Sequence, residues 1–162
     1  MNYLKDIKTF LNISQKLQIL QAHKKLSSSS SSELSRKFEP GQKVSMIRTV
    51  TEDDVINFAK LTNDYNPIHL NADKKIVHGA LLNGFLSGVL GTKLPGPGTL
   101  VVHQLLNYPK PCYAGDVIEI SVTVLSNRKI IKCSYKIVAN SERVVLDGEG
   151  KFVFIDRFSK MT

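Results

Sequence analysis

The chain has 162 residues, 42% of them hydrophobic, and a formal net charge of +8. That is enough for one domain with one buried core, and no apolar run approaches the roughly 18 residues that cross a bilayer. The charge is concentrated, with seven Lys/Arg against two acids in residues 1–37 and near balance beyond, so neither membrane insertion nor a nucleic-acid partner is expected.

The first 37 residues read as an address. Phe10, Ile13, Leu17 and Leu20 recur at spacings of three and four, as do Leu4, Ile7 and Leu11, with lysines between them. A helix built this way is amphipathic and basic. Six serines, Ser27 to Ser32, follow and cannot build a core. A basic, amphipathic, Ser-rich and acid-poor segment is the composition of a mitochondrial transit peptide, with Lys here where Arg is usual. The expected organisation is therefore 1–37 targeting segment and 38–162 folded domain, with a mitochondrial matrix location.

Within the domain, Val44 to Thr49 is a short strand. Thr51 then caps a helix whose first residues, Glu52, Asp53 and Asp54, suit the positive end of the helix dipole. Val55, Phe58, Ala59 and Leu61 follow at helical spacing. The helix stops by Asn63, and Pro67 prevents its continuation. A loop runs to about Ile76. A second helix spans about Gly79 to Gly91, where Leu81, Leu82, Phe85, Leu86, Val89 and Leu90 cover most of the circumference. Such a helix is expected to be buried on nearly all sides. Pro95-Gly96-Pro97-Gly98 ends it. Four runs with strand character follow: Thr99 to Tyr108, Val117 to Leu125, Lys129 to Val138 and Arg143 to Phe154. Turn-like breaks at Ser126–Lys129 and Ala139–Glu142 imply antiparallel hairpins. The fold class is α+β, with a sheet of about five strands curled around one long helix. Cys112 and Cys133 read as buried thiols, and no Cys/His cluster of zinc-binding pattern is present.

Chemistry concentrates in Leu61-Thr62-Asn63-Asp64-Tyr65-Asn66-Pro67-Ile68-His69. Pro67 fixes its own φ and pushes Asn66 out of the α region, so the loop is stiff. Asp64 and His69 flank the bend and can converge. A carboxylate and an imidazole placed this way can hold a water between them, and can take a proton from one atom and return it to another. Gly79, after Ile76-Val77-His78, opens the second helix. Its unpaired N–H groups and positive end can stabilise an enolate oxygen developing on a thioester carbonyl.

These motifs resemble a family. Phe58-x-x-Leu61-Thr62-x-Asp64-x-Asn66-Pro67-Ile68-His69 looks like the hydratase-2 motif of MaoC-like, (R)-specific enoyl-thioester hydratases. Ile76-Val77-His78-Gly79, Ser87-Gly88, Leu94-Pro95-Gly96-Pro97-Gly98 and Tyr113-x-Gly115-Asp116 resemble the blocks that follow it. The likeness runs in order over about residues 42–155, and within the family it looks closest to the mitochondrial hydroxyacyl-thioester dehydratases. It implies a hot-dog fold assembled as a homodimer. It implies reversible dehydration of (R)-3-hydroxyacyl thioesters, carried on acyl carrier protein or CoA, in mitochondrial fatty-acid synthesis. Asp64 and His69 match the catalytic pair, and the Gly79 amide matches the donor to the thioester carbonyl. Asn66 would brace the loop, with His78 and Ser87 at the substrate. No metal or redox cofactor is called for, because the thioester already acidifies the C–H that breaks. Two departures stand out. Asn63 replaces the family's glycine, and only eight residues, Leu70 to Val77, separate His69 from His78, about two helical turns fewer than usual. A thioester-binding hot-dog protein without turnover, and a hot-dog thioesterase, are the competing readings.

Overall fold

A computed structural model of the chain describes residues 38–155; the segment read as an address lies outside the described residues. Five strands and three helices follow in the order β1 (Lys43–Thr49), α1 (Glu52–Thr62), α2 (Pro67–Leu70), α3 (Gly79–Thr92), β2 (Thr99–Asn107), β3 (Val117–Asn127), β4 (Ile131–Ala139) and β5 (Arg143–Phe154). The strands make one antiparallel sheet in the order β1-β3-β4-β5-β2. Hairpins join β3 to β4 and β4 to β5, as the turn residues imply. Consecutive β2 and β3, by contrast, lie far apart in the sheet. β2 pairs with β5 at one edge, and β3 pairs with β1 near the other.

The alternation in β3 and β4 decides which face is covered. Ile118, Ile120, Val122 and Val124, with Ile131, Cys133, Tyr135 and Ile137, point inward and are buried. Against them lie Leu81, Leu82, Leu86, Val89 and Leu90 of α3. Fully burying a side chain of this size contributes about 1.5–3 kcal/mol, so this helix–sheet contact dominates the core. This arrangement, a sheet curled over one long central helix, is the hot-dog fold.

α3 departs from the all-round burial expected of it. Ala80, Gly84, Ser87, Gly88 and Gly91 are exposed and form a stripe of small residues along its outer side. The large residues alone fill the core, and an apolar count does not distinguish a small exposed residue from a small buried one. α1 forms as its sequence dictates. The Thr51 hydroxyl accepts from the Asp54 amide at 3.0 Å, and the Asp54 carboxylate accepts from the Thr51 amide at 2.9 Å, a reciprocal capping box. Short helix α2 was not foreseen inside the loop. Pro67 stands at its first turn, where a missing N–H costs nothing.

Candidate active site

The segment after α1 is shaped by local bonds. Asn63 adopts the left-handed conformation (φ 58, ψ 24) that ends the helix, a conformation Asn tolerates where glycine is the common choice. The Thr62 hydroxyl accepts from the Asp64 amide at 3.3 Å, Asp64 Oδ1 accepts from the Asn66 amide at 3.3 Å, and Asn66 Oδ1 accepts from the Ile68 amide at 3.4 Å. Each residue thus holds the next, and Asn66 caps α2.

α2 delivers His69, which is buried. Its Nδ1 lies 2.6 Å from the Ile76 carbonyl. A carbonyl only accepts, so Nδ1 carries the proton, and Nε2 is left with a lone pair. The backbone therefore fixes this imidazole in the tautomer that can take a proton. The Ile76 amide donates back to Ile68 O at 3.1 Å, clamping the end of the short spacer onto α2.

His78 precedes α3 and is 2% exposed. Its ring stacks on that of His69, with centroids 3.7 Å apart and planes 24° from parallel. Its Nε2 lies 3.1 Å from the backbone carbonyl of Asp64 and 4.0 Å from that residue's Oδ2. Phe58 of α1 covers it from another side, 5.0 Å between centroids. Gly79 follows at the helix start, which no side chain caps. A Cβ on Gly79 would lie 3.1 Å from Cε1 of Tyr108, so the glycine allows the tyrosine ring to pack against the backbone.

His69 and Gly79 face one cavity of about 270 Å³, lined also by Val77, Leu82, Tyr108 and Cys112. Burial raises the phenol pKa of Tyr108. Burial, and secondarily the Asp116 carboxylate, push the Cys112 thiol up to about 12, so it stays a neutral wall group. The cavity joins a base-competent imidazole, a helix N-terminus and apolar walls, and so suits a carbonyl compound with an apolar tail.

The expected site residues fall into three groups. Asp64, His69 and His78 come together, with one side-chain atom of each within 4.8 Å of the others, and Gly79 adjoins them. The Asp64 side chain is 51% exposed. Asn66 is where a brace would be, in the loop's own hydrogen bonds. His78 and Ser87 are placed otherwise than expected. His78 is not among the cavity-lining residues, and its polar atom serves Asp64, because the stack with His69 turns it inward. Ser87 lies on the exposed stripe of α3. The Asp64–His69–His78 cluster is close enough for a divalent ion. However, His69 Nδ1 and His78 Nε2 already serve backbone carbonyls, leaving the carboxylate, the second nitrogen of His69 and the buried Nδ1 of His78 as ligands. Tyr108, Lys110, Cys112 and Val145 also line the cavity. The sequence carried no local signal for them, since Tyr108, Lys110 and Cys112 arrive from the segment between β2 and β3 and Val145 from β5; the only hint was the stiff Pro109-Lys110-Pro111 ahead of the Tyr113-x-Gly115-Asp116 block.

Comparison with known proteins bears on the family and the fold. The family model for the MaoC like domain matches residues 35–145. An (R)-specific enoyl-CoA hydratase of Rhodospirillum rubrum is 44% identical over 92 residues, 52% of this chain and 64% of its own length, so the match stops short of two thirds of that relative. A mitochondrial 3-hydroxyacyl-acyl-carrier-protein dehydratase of Solanum lycopersicum is 31% identical over 75% of this chain and 80% of its own. Among solved structures, the (R)-hydratase of A. caviae involved in PHA biosynthesis superposes with a TM-score of 0.70 at 29% identity, covering 74% of this chain and 99% of that one. With a family match over most of the chain and a shared hot-dog architecture, this protein belongs to the MaoC-like family.

Proposed function

We propose that this protein is a hydro-lyase that reversibly removes water from (R)-3-hydroxyacyl thioesters to give trans-2-enoyl thioesters. The observation that carries the reading is His69. Its Nδ1 is tied to the Ile76 carbonyl at 2.6 Å, and its ring faces the cavity that holds the Gly79 end of α3. With the thioester carbonyl at that helix end, the negative charge that develops on its oxygen meets amide donors and the helix dipole. One member of the Asp64–His69 pair takes the C2 proton, and the other protonates the departing C3 hydroxyl as the C–O bond breaks. The products are enoyl thioester and water, with no net proton consumed. In the reverse direction the same pair holds the water that adds to C3.

The names of relatives support the substrate class. Those named mitochondrial dehydratases, together with the basic amphipathic segment 1–37 ahead of a domain at 38–162, support a role in mitochondrial fatty-acid synthesis in the matrix, with acyl carrier protein as the carrier and CoA as the alternative. A homodimer fits the edge strand β2, where Leu100, Val101, Val102 and Leu105 stand exposed and need cover.

The test is hydration of crotonyl-CoA by the full chain, followed by loss of enoyl-thioester absorbance, beside Asp64→Asn. Turnover that falls about 10²–10⁴-fold in the variant supports the reading. A folded wild-type protein that binds acyl thioester without turning it over refutes it.

A further inference from the structure

The short spacer brings His78 against both members of the acid–base pair, and of these three side chains His69 alone lines the cavity. Among the described residues, its hydrogen bond to the Asp64 carbonyl is the one bond from Asp64 to anything beyond residues 62–66. Its ring face, at 3.7 Å, also sets the plane of His69, whose remaining freedom is removed by the Ile76 carbonyl.

We infer that His78 is a positioning residue, which holds Asp64 through its Nε2–H and His69 through its ring. This rests on the dehydratase reading above. The tautomer follows from geometry. A carbonyl accepts, so Nε2 donates, and Nδ1 keeps its lone pair. That Nδ1 is buried and has no hydrogen-bond partner. An uncompensated buried polar atom opposes folding. A phenylalanine at this position would fill the space beside Phe58 without it, but would give Asp64 no donor. The imidazole supplies two things at once that no other side chain combines in this volume: an aromatic face for His69 and an N–H on the rim for Asp64. The loop carrying the acid–base pair is otherwise braced mostly by its own short contacts, so without His78 the carboxylate and the imidazole lose their common reference.

Two variants of the full chain separate the functions. His78→Phe keeps ring and volume and removes the donor. His78→Gln keeps an amide donor near the position of Nε2 and removes the ring. Displacements near 1 Å cost about 100-fold. His78→Phe should therefore lower kcat for crotonyl-CoA by about 10- to 100-fold with KM changed less than about threefold. His78→Gln should recover part of that loss. A folded His78→Phe protein with wild-type kcat overturns the inference. So does a loss carried wholly by KM, which would mark a substrate contact. If His78→Phe does not fold, the wild-type protein still decides. Long-range ¹H–¹⁵N correlation should show His78 protonated at Nε2 and bare at Nδ1, and the opposite tautomer overturns the inference without reference to turnover. Absence of wild-type turnover would instead fall on the dehydratase reading.

Discussion

Gly79→Ala probes the point where fold and chemistry meet. The new methyl carbon would lie 3.1, 3.3 and 3.4 Å from Cε1, Cζ and Cδ1 of Tyr108. Carbon atoms rest comfortably at about 3.5–4.0 Å, so the tyrosine ring must retreat by roughly 0.4–0.9 Å. It has room to do so, since Tyr108 is 46% exposed. Overpacking of this kind costs about 1–3 kcal/mol. Alanine in place of glycine on a helix returns up to about 1 kcal/mol. The net loss is about 0–3 kcal/mol, which lowers Tm by about 0–12 °C. Catalysis should suffer more, because the methyl and the displaced ring both enter the space before the α3 N-terminus. A shift approaching 1 Å there predicts a fall in kcat of about 10- to 100-fold. Crotonyl-CoA hydration and a thermal melt on the same sample read both effects. Tyr108→Ala added to Gly79→Ala should restore the melting temperature by removing the crowding. A folded Gly79→Ala protein with unchanged kcat would refute the placement of the thioester carbonyl at this helix end.

Further predictions concern the framework. Asp116 accepts from the Tyr113 amide at 2.8 Å, from Asn140 at 2.8 Å and from Arg143 at 2.5 Å. Burial works to raise its pKa, but these donors outweigh it and hold the carboxyl below its ordinary value. The native state thus favours the ionised form, a contribution present above the unfolded pKa of about 4 and lost as pH falls below it. Acid titration of stability should show this loss, and Asp116→Asn should flatten it while costing about 2 kcal/mol near neutrality in a denaturant melt, less than a fully buried pair. Gly148→Ala would place a methyl 2.0 Å from the Leu105 carbonyl oxygen, across the β2–β5 pairing. It should cost more than about 3 kcal/mol, whereas a variant as stable as wild type would contradict the strand register. Cys112, its thiol pushed up to about 12, should resist iodoacetamide at pH 8 in the folded protein and react once unfolded.

What the sequence disclosed depended on the range of the interaction. α1 was legible to its caps because Thr51, Asp54 and Asn63 act within three or four residues of their partners. β3, β4 and β5 were legible because alternation and turn residues are local. The pairing of β1 with β3 and of β2 with β5 was not, since nothing near β2 says that its neighbour lies some forty residues on, as Asn107 does from Asp147. The site followed the same rule. Asp64, His69 and Gly79 stand in compact motifs; the structure brings His69 and Gly79 to one cavity, with Asp64 beside His69 but outside the cavity lining. Tyr108 and Val145 reach the cavity only through the sheet order, and the outward turn of Ser87 depends on which side of α3 the large residues fill.

The eight-residue spacer shows why length alone was a poor guide to geometry. A long segment between His69 and His78 could wander; this one is closed at its end by reciprocal bonds, with the Ile76 amide donating to Ile68 O and His69 Nδ1 donating to Ile76 O. The Val77 amide then donates to Cys112 O at 2.8 Å, and the Ala114 amide to Lys75 O at 3.0 Å, fastening the segment to the strand entry across the cavity. A short tether so fixed leaves the two imidazoles stacked and sets His69 beside the start of α3. The short spacer therefore keeps His69 and Gly79 on one cavity. Val77, Leu82 and Cys112 form the apolar wall of that cavity, while the stack of His69 on His78 rests on contacts that the short spacer itself makes.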